Sequence, residues 1–157
     1  MDLKKEHIPA SAGRQIARLS RAAQVYFQHR FGPLGIGPAQ GITLHYISMH
    51  NGIDQTELCR RMSLDKSSLA TQLRKLEEHR YIIRETDKHD RRVKRIFMTP
   101  EALEIADRLH AVFTSWTDLL LKDFNNAERR KVFLLLDRLW ANAGEALKEL
   151  RLNETPE

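Results

Sequence analysis

Cysteine is almost absent from this chain, which has Cys59 as its single one among 157 residues. One cysteine excludes a disulfide within the chain and leaves only pairing between two chains. Long apolar runs are absent too, since no stretch approaches the roughly 20 residues that a membrane-spanning helix needs. At the start, Lys4, Lys5 and Glu6 lead into a charged amphipathic stretch rather than the apolar core of a signal peptide. We therefore expect a soluble, cytoplasmic protein.

Motifs of the common enzyme classes are missing as well. The chain has no glycine-rich phosphate loop, no Gly-x-Ser-x-Gly sequence and no Cys-His arrangement in a recognisable context. Its seven histidines form none of the close pairs that metal sites use, such as His-x-x-x-His. We predict that the protein is not an enzyme and that it uses no cofactor and no metal.

Positive charge is what the chain has in excess, and it is local. The net charge is +5, and the isoelectric point is about 9.6. Between Arg60 and Arg95 lie twelve cationic and six acidic residues, so this window carries a net +6 and the rest of the chain about −1. A basic module on an otherwise balanced scaffold is typical of a protein that binds nucleic acid through one face.

Hydrophobic periodicity divides the first third of the chain into two helices. Apolar residues recur at three- and four-residue steps over residues 11–29, which predicts a helix with one buried stripe. A cluster of glycine and proline at 32–38 predicts a turn. A second helix is predicted at 39–50, where Asn51-Gly52 forms a stop signal.

A short helix and a longer one follow. Asp54 and Glu57 are spaced like a capping box, in which the first side chain accepts from a first-turn amide and the second reaches back. The short helix that they open ends near Met62. After a tight link, Asp65 is placed to cap a longer helix that extends to about His79. A short helix, a turn and a second helix form the helix-turn-helix pattern.

Two strand-like segments come next, at 82–86 and 94–99, and the charged stretch 87–92 joins them. A hairpin that follows a helix-turn-helix is the wing of a winged helix. Thr99 and Pro100 then start another helix, with threonine as the cap and proline in the first turn.

Two long amphipathic helices complete the chain, and Asn125 and Glu128 form the opening cap of the second. Each helix has an apolar seam at alternating steps of four and three residues. The first seam consists of Ala102, Ala106, Leu109, Phe113, Trp116 and Leu120, and the second of Val132, Leu136, Leu139, Ala143 and Leu150. Seams of this kind need a partner surface, which predicts a homodimer.

The order of these elements and several local motifs resemble the MarR family of transcriptional regulators. The motifs that follow the order and spacing of that family are Gln55-Thr56-Glu57-Leu58, Asp65-Lys66-Ser67-Ser68-Leu69, Leu76-Glu77-Glu78 and Asp90-Arg91-Arg92. The Asp-x-Arg motif of the wing, followed by Met98-Thr99, is the most specific of them. The resemblance implies a triangular homodimer whose two recognition helices enter successive major grooves of pseudo-palindromic DNA.

We therefore predict a mainly α fold with a small β-hairpin wing. It is a winged helix-turn-helix with N- and C-terminal helices that form a dimerisation domain. The expected parts are an N-terminal helix and dimerisation arm at 1–36, a DNA-binding lobe at 37–100 and C-terminal dimerisation helices at 101–157.

The first turns of the recognition helix carry the side chains that we expect to contact DNA, namely Lys66, Ser67, Ser68, Thr71, Gln72 and Lys75. The serines can donate to phosphate or base edges, and Gln72 could read adenine as a bidentate partner. Lys66 and Lys75 are expected to neutralise phosphates, which positions a protein without specifying a sequence. A merely solvated helix face is the alternative.

In the wing, Arg92 is the candidate for insertion into a minor groove, where negative potential is concentrated. Asp90 is expected to brace it through a charge-assisted hydrogen bond, as the family resemblance also implies. Lys88, Arg91 and Lys94 complete the predicted interface through phosphate contacts. The alternative is a solvated turn whose charges contact nothing.

Two residues depart from the family pattern. Arg80 stands where the family usually has a glycine that ends the recognition helix, at a position that tends toward positive φ. Either this residue has positive φ, which costs a non-glycine residue about 1 kcal/mol or more, or the helix ends by another route. Ala102 stands where glycine is common after the wing. Neither residue belongs to the predicted DNA-reading surface.

Relatives also differ in what they sense. Some sense oxidants through a cysteine near the start of the chain, whereas Cys59 lies in the short helix, where a small buried hydrophobe is expected. The neighbouring Arg60 and Arg61 would lower its pKa if the thiol were exposed, which keeps redox sensing open.

Ligand binding is implied by the resemblance alone. Some relatives bind zinc, and the histidines on the corresponding segments are His29, His45 and His110. Others bind small aromatic or phenolic acids in a cleft, which could be lined here by Tyr26, Arg30, His45, Met49 and Phe113. Ordinary core packing is the alternative for the apolar members of this set.

These observations predict a sequence-specific regulator that binds double-stranded DNA, and by resemblance a ligand-responsive repressor. Two alternatives stay open. A winged-helix module can dock a protein, although such modules usually lose the basic wing. An architectural DNA binder would be indifferent to sequence and would share the salt dependence of a regulator.

Overall fold

The computed structural model describes residues 11–153, with side-chain environments for 11–149. Residues 1–10 of the predicted arm at 1–36 lie outside that description, as does the side chain of the seam residue Leu150. The helices are α1 (Ala12–Phe31), α2 (Pro38–Met49), α3 (Gln55–Arg61), α4 (Lys66–Glu78), α5 (Pro100–Leu120) and α6 (Asn126–Asn153), and the strands are β1 (Ile53–Asp54), β2 (Ile82–Thr86) and β3 (Lys94–Met98). The predicted fold class and order of elements are confirmed, with slightly shifted helix ends.

The chain forms two compact units, of which the first ends at Trp116 and the second begins at Thr117. The first contains the helix-turn-helix (α3 and α4) and the wing (β2, β3 and the turn between them). The predicted division at 36 and 100 concerns function, and it stays a prediction.

A small sheet joins the wing to the start of the helix-turn-helix. β3 is the central strand and pairs antiparallel with both β2 and β1. In the β2–β3 hairpin, Ile82 lies opposite Met98 and Thr86 opposite Lys94. β1 is an addition to the prediction. Its two residues are too few to show an alternating pattern, and they become a strand because β3 offers them backbone partners.

The core of the first unit is built around the inner face of α4. Leu69, Leu73 and Leu76 repeat at helical spacing, and all three are buried. They belong to one cluster with, among others, Phe31, Leu44, Ile47, Leu58, Ile82, Ile96 and Leu109. α2 approaches α1 closely at Gly41, where an added Cβ would lie 2.2 Å from the Phe31 ring. With its leucines in this cluster, α4 presents its opposite face to solvent.

The apolar seam predicted on α5 belongs largely to this same core. Ala102 and Leu109 are fully buried, and Ala106, Phe113 and Trp116 pack against the cluster. Only Leu120 of that seam is exposed, by 42%. Ala102 and Leu109 are therefore covered within the first unit, whereas a partner chain for the half-buried and exposed residues of the seam stays a prediction. Helical spacing shows that a surface needs covering but does not show which chain covers it.

The N-terminal caps of α5 and α6 are formed as predicted. Thr99 Oγ1 accepts from the N–H of Ala102 at 3.1 Å, at the start of α5. At α6, Asn125 Oδ1 accepts from the N–H of Glu128 at 3.0 Å, and Glu128 Oε2 accepts from the N–H of Asn125 at 2.8 Å. Arg80 has a φ of 58°, which confirms the left-handed position expected where relatives have glycine.

The capping box predicted for α3 is only half formed. Asp54 accepts from the N–H groups of Thr56 and Glu57. Glu57 does not reach back, because its carboxylate accepts hydrogen bonds from Arg60 and Arg61 on the same helix. These bonds, the one from Arg60 first, lower the pKa of Glu57 to about 2.

The second unit consists of the last turn of α5, the loop after it and α6. Arg129 donates to the Leu121 carbonyl at 2.9 Å and contacts Asp118 at 3.3 Å, which ties this loop to the start of α6. Large apolar side chains of α6 are exposed, namely Phe133, Leu134, Leu135, Leu136, Leu139, Trp140 and Leu147. Within residues 11–153, no helix has the length and apolar character to cross a membrane.

Asp65 caps α4 and orders its first turn. Its Oδ1 accepts from the Ser68 N–H at 2.8 Å and from the Ser67 hydroxyl at 2.6 Å. Its Oδ2 accepts from the Ser68 hydroxyl at 2.6 Å. The two hydroxyls, followed by the Ser68 amide, hold the pKa of this carboxyl well below its usual range.

Replacing Asp65 by alanine should lower the midpoint of thermal unfolding at neutral pH, because α4 loses its cap. When the folded-state pKa is depressed, the stabilisation is fully present above the pKa of the unfolded chain, about 3.9. It is lost as the pH falls through the folded-state value. The difference in midpoint between wild type and Asp65→Ala should therefore be constant near neutrality and shrink below about pH 4, as measured by calorimetry.

Asp65→Asn is the matched control, because it keeps one acceptor oxygen and has no titratable charge. Its midpoint should lie between those of the other two proteins, and its difference from Asp65→Ala should not change with pH. A wild-type advantage that persists unchanged in acid would contradict the assignment of the charged cap.

Candidate nucleic-acid interface

The exposed face of α4 carries most of the predicted reading side chains. Ser67, Thr71 and Lys75 are exposed and lie opposite the three buried leucines. Lys66 is exposed at the first position of the helix, and Ser68 is half-buried beside it. Four of the six predicted residues of α4 are therefore exposed, and Ser68 and Gln72 are half-buried.

Arg74 belongs to the same face and is missing from the prediction. Its side chain is 62% exposed, and it donates to Glu78 at 2.8 Å. The signal for it was present in the sequence, because Ser67, Thr71, Arg74 and Glu78 are spaced by four, three and four residues along α4. The prediction was limited to the first turns of the helix, whereas this row of residues continues to Glu78 near its end.

The hydroxyls of Ser67 and Ser68 donate to Asp65 in this structure, and their donation to DNA stays a prediction. Each hydroxyl has a single proton, and both protons are directed to the carboxylate of Asp65. With its depressed pKa, that carboxylate is ionised and only accepts. The serine oxygens therefore offer lone pairs to a partner, and the groups that they can bind are N–H donors.

Gln72 lies on the inner side of α4. It is three residues after Leu69 and four before Leu76, and its Oε1 accepts from the hydroxyl of the fully buried Thr43 on α2. Bidentate reading of adenine needs both the oxygen and the NH₂ group of a glutamine, and the contact with Thr43 holds that oxygen toward α2. Gln72 is thus half-buried with its oxygen bound to α2, which distinguishes it from the exposed residues of α4.

In the wing, Asp90 and Arg92 are in contact. Arg92 donates to Asp90 from Nε at 3.1 Å, from Nη2 at 3.0 Å and from its backbone N–H at 2.9 Å. The pairing with Arg92 lowers the pKa of Asp90 below its ordinary value. The Arg92 side chain is nevertheless 90% exposed. The guanidinium is held in one place and remains open to a ligand.

Asp87 organises the turn of the wing and was not predicted. Its Oδ1 accepts from the N–H groups of His89 at 2.8 Å and Asp90 at 3.0 Å, and its Oδ2 binds Arg95 Nε. The Arg95 guanidinium and these two N–H groups hold the pKa of Asp87 well below its usual range. An aspartate at the start of a turn is a recognised signal for such backbone bonds.

The remaining cations of the wing differ in how free they are. Lys94 Nζ donates to Thr86 Oγ1 at 2.6 Å, across the hairpin. Lys88 and Arg91 are exposed in the turn. The turn therefore presents Lys88, Arg91 and Arg92 outward, whereas the ammonium of Lys94 is engaged within the strands.

Cys59 packs as the sequence suggested. It is half-buried, lies against the hydrophobic cluster, and its thiol contacts the Leu64 carbonyl at 2.9 Å. This contact closes the link between α3 and α4. The structure thus gives Cys59 a packing role beside the helix-turn-helix.

The histidines considered for zinc do not form a cluster of donors. The His45 ring stacks on Phe113, with centroids 4.1 Å apart, and lies 5.8 Å from His110. Burial, followed by the nearby His110, lowers the pKa of His45. Among the residues that the structure describes, no group of three or more His, Cys, Asp or Glu side chains could hold a metal ion.

The residues considered for a ligand cleft are found in different surroundings. Tyr26 stacks on Trp116, with centroids 4.9 Å apart, and Arg30 lies 5.2 Å from the centre of the Tyr26 ring. Met49 is 53% exposed. A small-molecule ligand stays a prediction.

Comparisons with known proteins agree with this architecture. A model described as the MarR family matches residues 34–93, which contain α2, the helix-turn-helix, β2 and the turn of the wing. The crystal structure of MarR is 30% identical, with 95% of this chain and 97% of that chain covered and a TM-score of 0.72. A MarR transcriptional regulator from Methanosarcina mazei Go1 is 28% identical, with 85% of this chain and 96% of that chain covered and a TM-score of 0.78.

A third structure, of S. aureus MepR in complex with DNA, is 19% identical, with 85% of this chain and 98% of that chain covered and a TM-score of 0.78. At that identity the likeness shows the fold alone. The match to MarR, in contrast, joins 30% identity to nearly complete coverage of both chains. The chain therefore belongs to the MarR family, whose members are regulators of transcription and not enzymes.

Proposed function

We propose that this protein is a transcriptional repressor that binds a pseudo-palindromic operator in double-stranded DNA as a homodimer. The observation that carries the proposal is the pairing, within one compact unit, of an exposed polar face on α4 with an exposed arginine at the tip of the wing. MepR, which shares the fold, has been solved with DNA. A regulator of this kind must reach chromosomal DNA, and we therefore infer a cytoplasmic location.

α4 is the helix that we assign to the major groove. A helix in that groove reads base edges with one face, and the exposed face here begins with Ser67 and Ser68. As acceptors, these serines suit the amino groups of adenine N6 or cytosine N4. Arg74, once released from Glu78, suits the O6 and N7 atoms of guanine.

The other polar residues of α4 support this contact. Thr71 can pack its methyl group on that of thymine, and Lys66 and Lys75 can neutralise phosphates on either side of the groove. Gln72 Oε1 accepts from Thr43, which holds the side chain toward α2. We assign Gln72 to the orientation of α4 rather than to bidentate reading.

The wing is assigned to the neighbouring minor groove. Arg92 would insert its guanidinium between the phosphate backbones, where the potential is most negative when the groove is narrow. Asp90 binds the guanidinium through two hydrogen bonds and leaves the side chain 90% exposed. Lys88 and Arg91, and Lys94 nearer the base of the hairpin, would contact phosphates.

A second copy of the chain is the partner that we assign to α6. Leu136 and Leu139 are exposed along the predicted seam, and Trp140 is exposed beside it. Leu134, 65% exposed, lies on the opposite side of the helix. A helix that is apolar on several sides is normally buried. Homodimerisation would cover these side chains and would pair two reading helices by a two-fold axis, as a pseudo-palindrome requires.

Selection of random duplexes by the purified protein at two salt concentrations tests the proposal directly. We expect enrichment of a pseudo-palindrome whose half-sites lie about one helical turn apart. Retention of DNA without any motif, with steep loss at higher salt, would contradict sequence reading and indicate an architectural binder. No retention at either salt would contradict DNA binding and favour a protein-docking module.

The acceptor role of the serines can be checked on the enriched duplex. An adenine of the half-site is replaced by purine, which lacks the 6-amino group, or a cytosine by an analogue without its 4-amino group. At one position, this change should weaken binding by wild type about fivefold or more. It should have no effect on the Ser67→Ala/Ser68→Ala variant, and an equal effect on both proteins would remove the serines from base reading.

Arg92→Ala should weaken binding to the selected duplex by roughly tenfold or more at fixed salt, the usual order for a lost hydrogen bond to a charged group. The circular dichroism spectrum and the oligomeric state should be unchanged, because the side chain contacts Asp90 alone among the hydrogen-bonding groups described. Arg130→Ala, an exposed arginine of α6, is the control for the loss of one positive charge. Equal affinity of Arg92→Ala and Arg130→Ala would overturn the assignment.

Light scattering at micromolar concentration should give the mass of a dimer. Leu139→Glu places a charge in the exposed seam of α6 and should shift the mass toward a monomer or cause unfolding. Asn142→Glu adds the same charge to the same helix, outside that seam, and should leave the dimer intact. A monomeric wild type would contradict the dimer, and an undisturbed Leu139→Glu dimer would place its interface elsewhere.

A further inference from the structure

The exposed Arg92 is connected to the body of the first unit by a continuous series of side-chain and backbone contacts. The series starts at Gly52, in the turn between α2 and β1. The Gly52 N–H donates to the Ile96 carbonyl at 2.8 Å, and its φ of 84° is one that residues with a side chain rarely adopt. The Gly52 carbonyl accepts from Arg95 Nη1 at 3.1 Å. Arg95 is thus anchored to a fixed point of the backbone.

Arg95 also binds Asp87, which lies at the start of the wing turn. The Asp87 carboxylate binds Arg95 Nε, and its side chain is only 11% exposed although it lies in a turn. The Asp87 N–H also donates to the Val93 carbonyl at 3.0 Å, which closes the turn from its other end. An aspartate held on both its backbone and its carboxylate has little freedom.

Asp87 in turn holds Asp90, the partner of Arg92. The Asp90 N–H donates to Asp87 at 3.0 Å, and the Asp90 carbonyl accepts from the Val93 N–H at 3.0 Å. Asp90 is therefore fixed on both sides before its carboxylate binds Arg92. The series contains two ion pairs joined by one backbone hydrogen bond.

We propose that Asp87 and Arg95 are positioning residues that set the reach of Arg92, so that the wing discriminates narrow from wide minor grooves. The proposal rests on the proposed insertion of Arg92 into DNA. A guanidinium that is already held extended loses less freedom on binding than a mobile one. It also meets both walls of a groove only when the groove is narrow, as it is over runs of A·T pairs.

The test compares two duplexes with identical half-sites and with either A·T runs or G·C runs where the wing lies. Wild type should prefer the A·T flanks. Asp87→Asn, which removes the charge but keeps an oxygen for the two N–H groups, should weaken binding to the A·T-flanked duplex on the order of threefold to tenfold. Binding to the G·C-flanked duplex should change much less. Asp118→Asn, which removes the carboxylate of another arginine pair in the second unit, is the matched control and should leave both affinities unchanged.

Combination with Arg92→Ala separates positioning from a general structural role. If Asp87 acts through Arg92, Asp87→Asn/Arg92→Ala should bind both duplexes as Arg92→Ala does, with no further loss. A structural role would weaken both duplexes equally and would add to the effect of Arg92→Ala. Arg95→Met provides a second variant should Asp87→Asn fold poorly, and it should show the same loss of flank preference.

The outcomes also distinguish this inference from the proposed function. Loss of flank preference in Arg92→Ala but not in Asp87→Asn or Arg95→Met would overturn the positioning role and leave the DNA contact of Arg92 standing. Equal binding of both duplexes by wild type would overturn the inference, while an operator enriched by selection would still support sequence-specific DNA binding through α4.

Discussion

Burial of Leu69, Leu73 and Leu76 on one side of α4 is the constraint on which the rest of the structure depends. These side chains are almost completely removed from solvent, so the helix can lie in only one rotation about its axis. That rotation places Ser67, Thr71 and Arg74 outward and turns Gln72 inward toward Thr43. A buried hydroxyl needs a hydrogen-bond partner, and Gln72 supplies it. The same packing thus creates the exposed face of α4 and removes one polar residue from it.

Ion pairing decides which of the many cations of this chain are available to a polyanion. Arg60 and Arg61 bind Glu57, Arg84 binds Glu77, and Arg95 binds Asp87. Exposed pairs of this kind contribute little to stability, but each fixes a guanidinium against the protein. Arg92 is also paired and yet remains extended into solvent. The net charge of the basic window therefore overstates the number of cations that can meet DNA, and the geometry of the wing selects among them.

Most of the fold followed from patterns in the sequence, and the candidate site followed in part. Helical periodicity, the caps at Asp65 and Thr99, and the charged turn between two strand-like segments predicted nearly every element. The partners of individual side chains were less accessible. The carboxylate of Glu57 bound two arginines instead of completing a capping box, the hydroxyls of Ser67 and Ser68 donated to Asp65, and most of the seam of α5 was covered within its own unit. In each case several partners were compatible with the spacing, and only three-dimensional proximity chose among them.

The sequence by itself determined the order and type of the elements and the polar character of the face of α4, because these depend on interactions between residues close in the chain. Tertiary structure alone decided that Ile53 and Asp54 join the sheet and that Gln72 binds Thr43. It also decided that Asp87 is linked through Arg95 to Gly52. Such contacts join residues far apart in sequence. Their formation depends on the desolvation of each polar group and on the nearest partner that folding brings to it, and neither is written in local spacing.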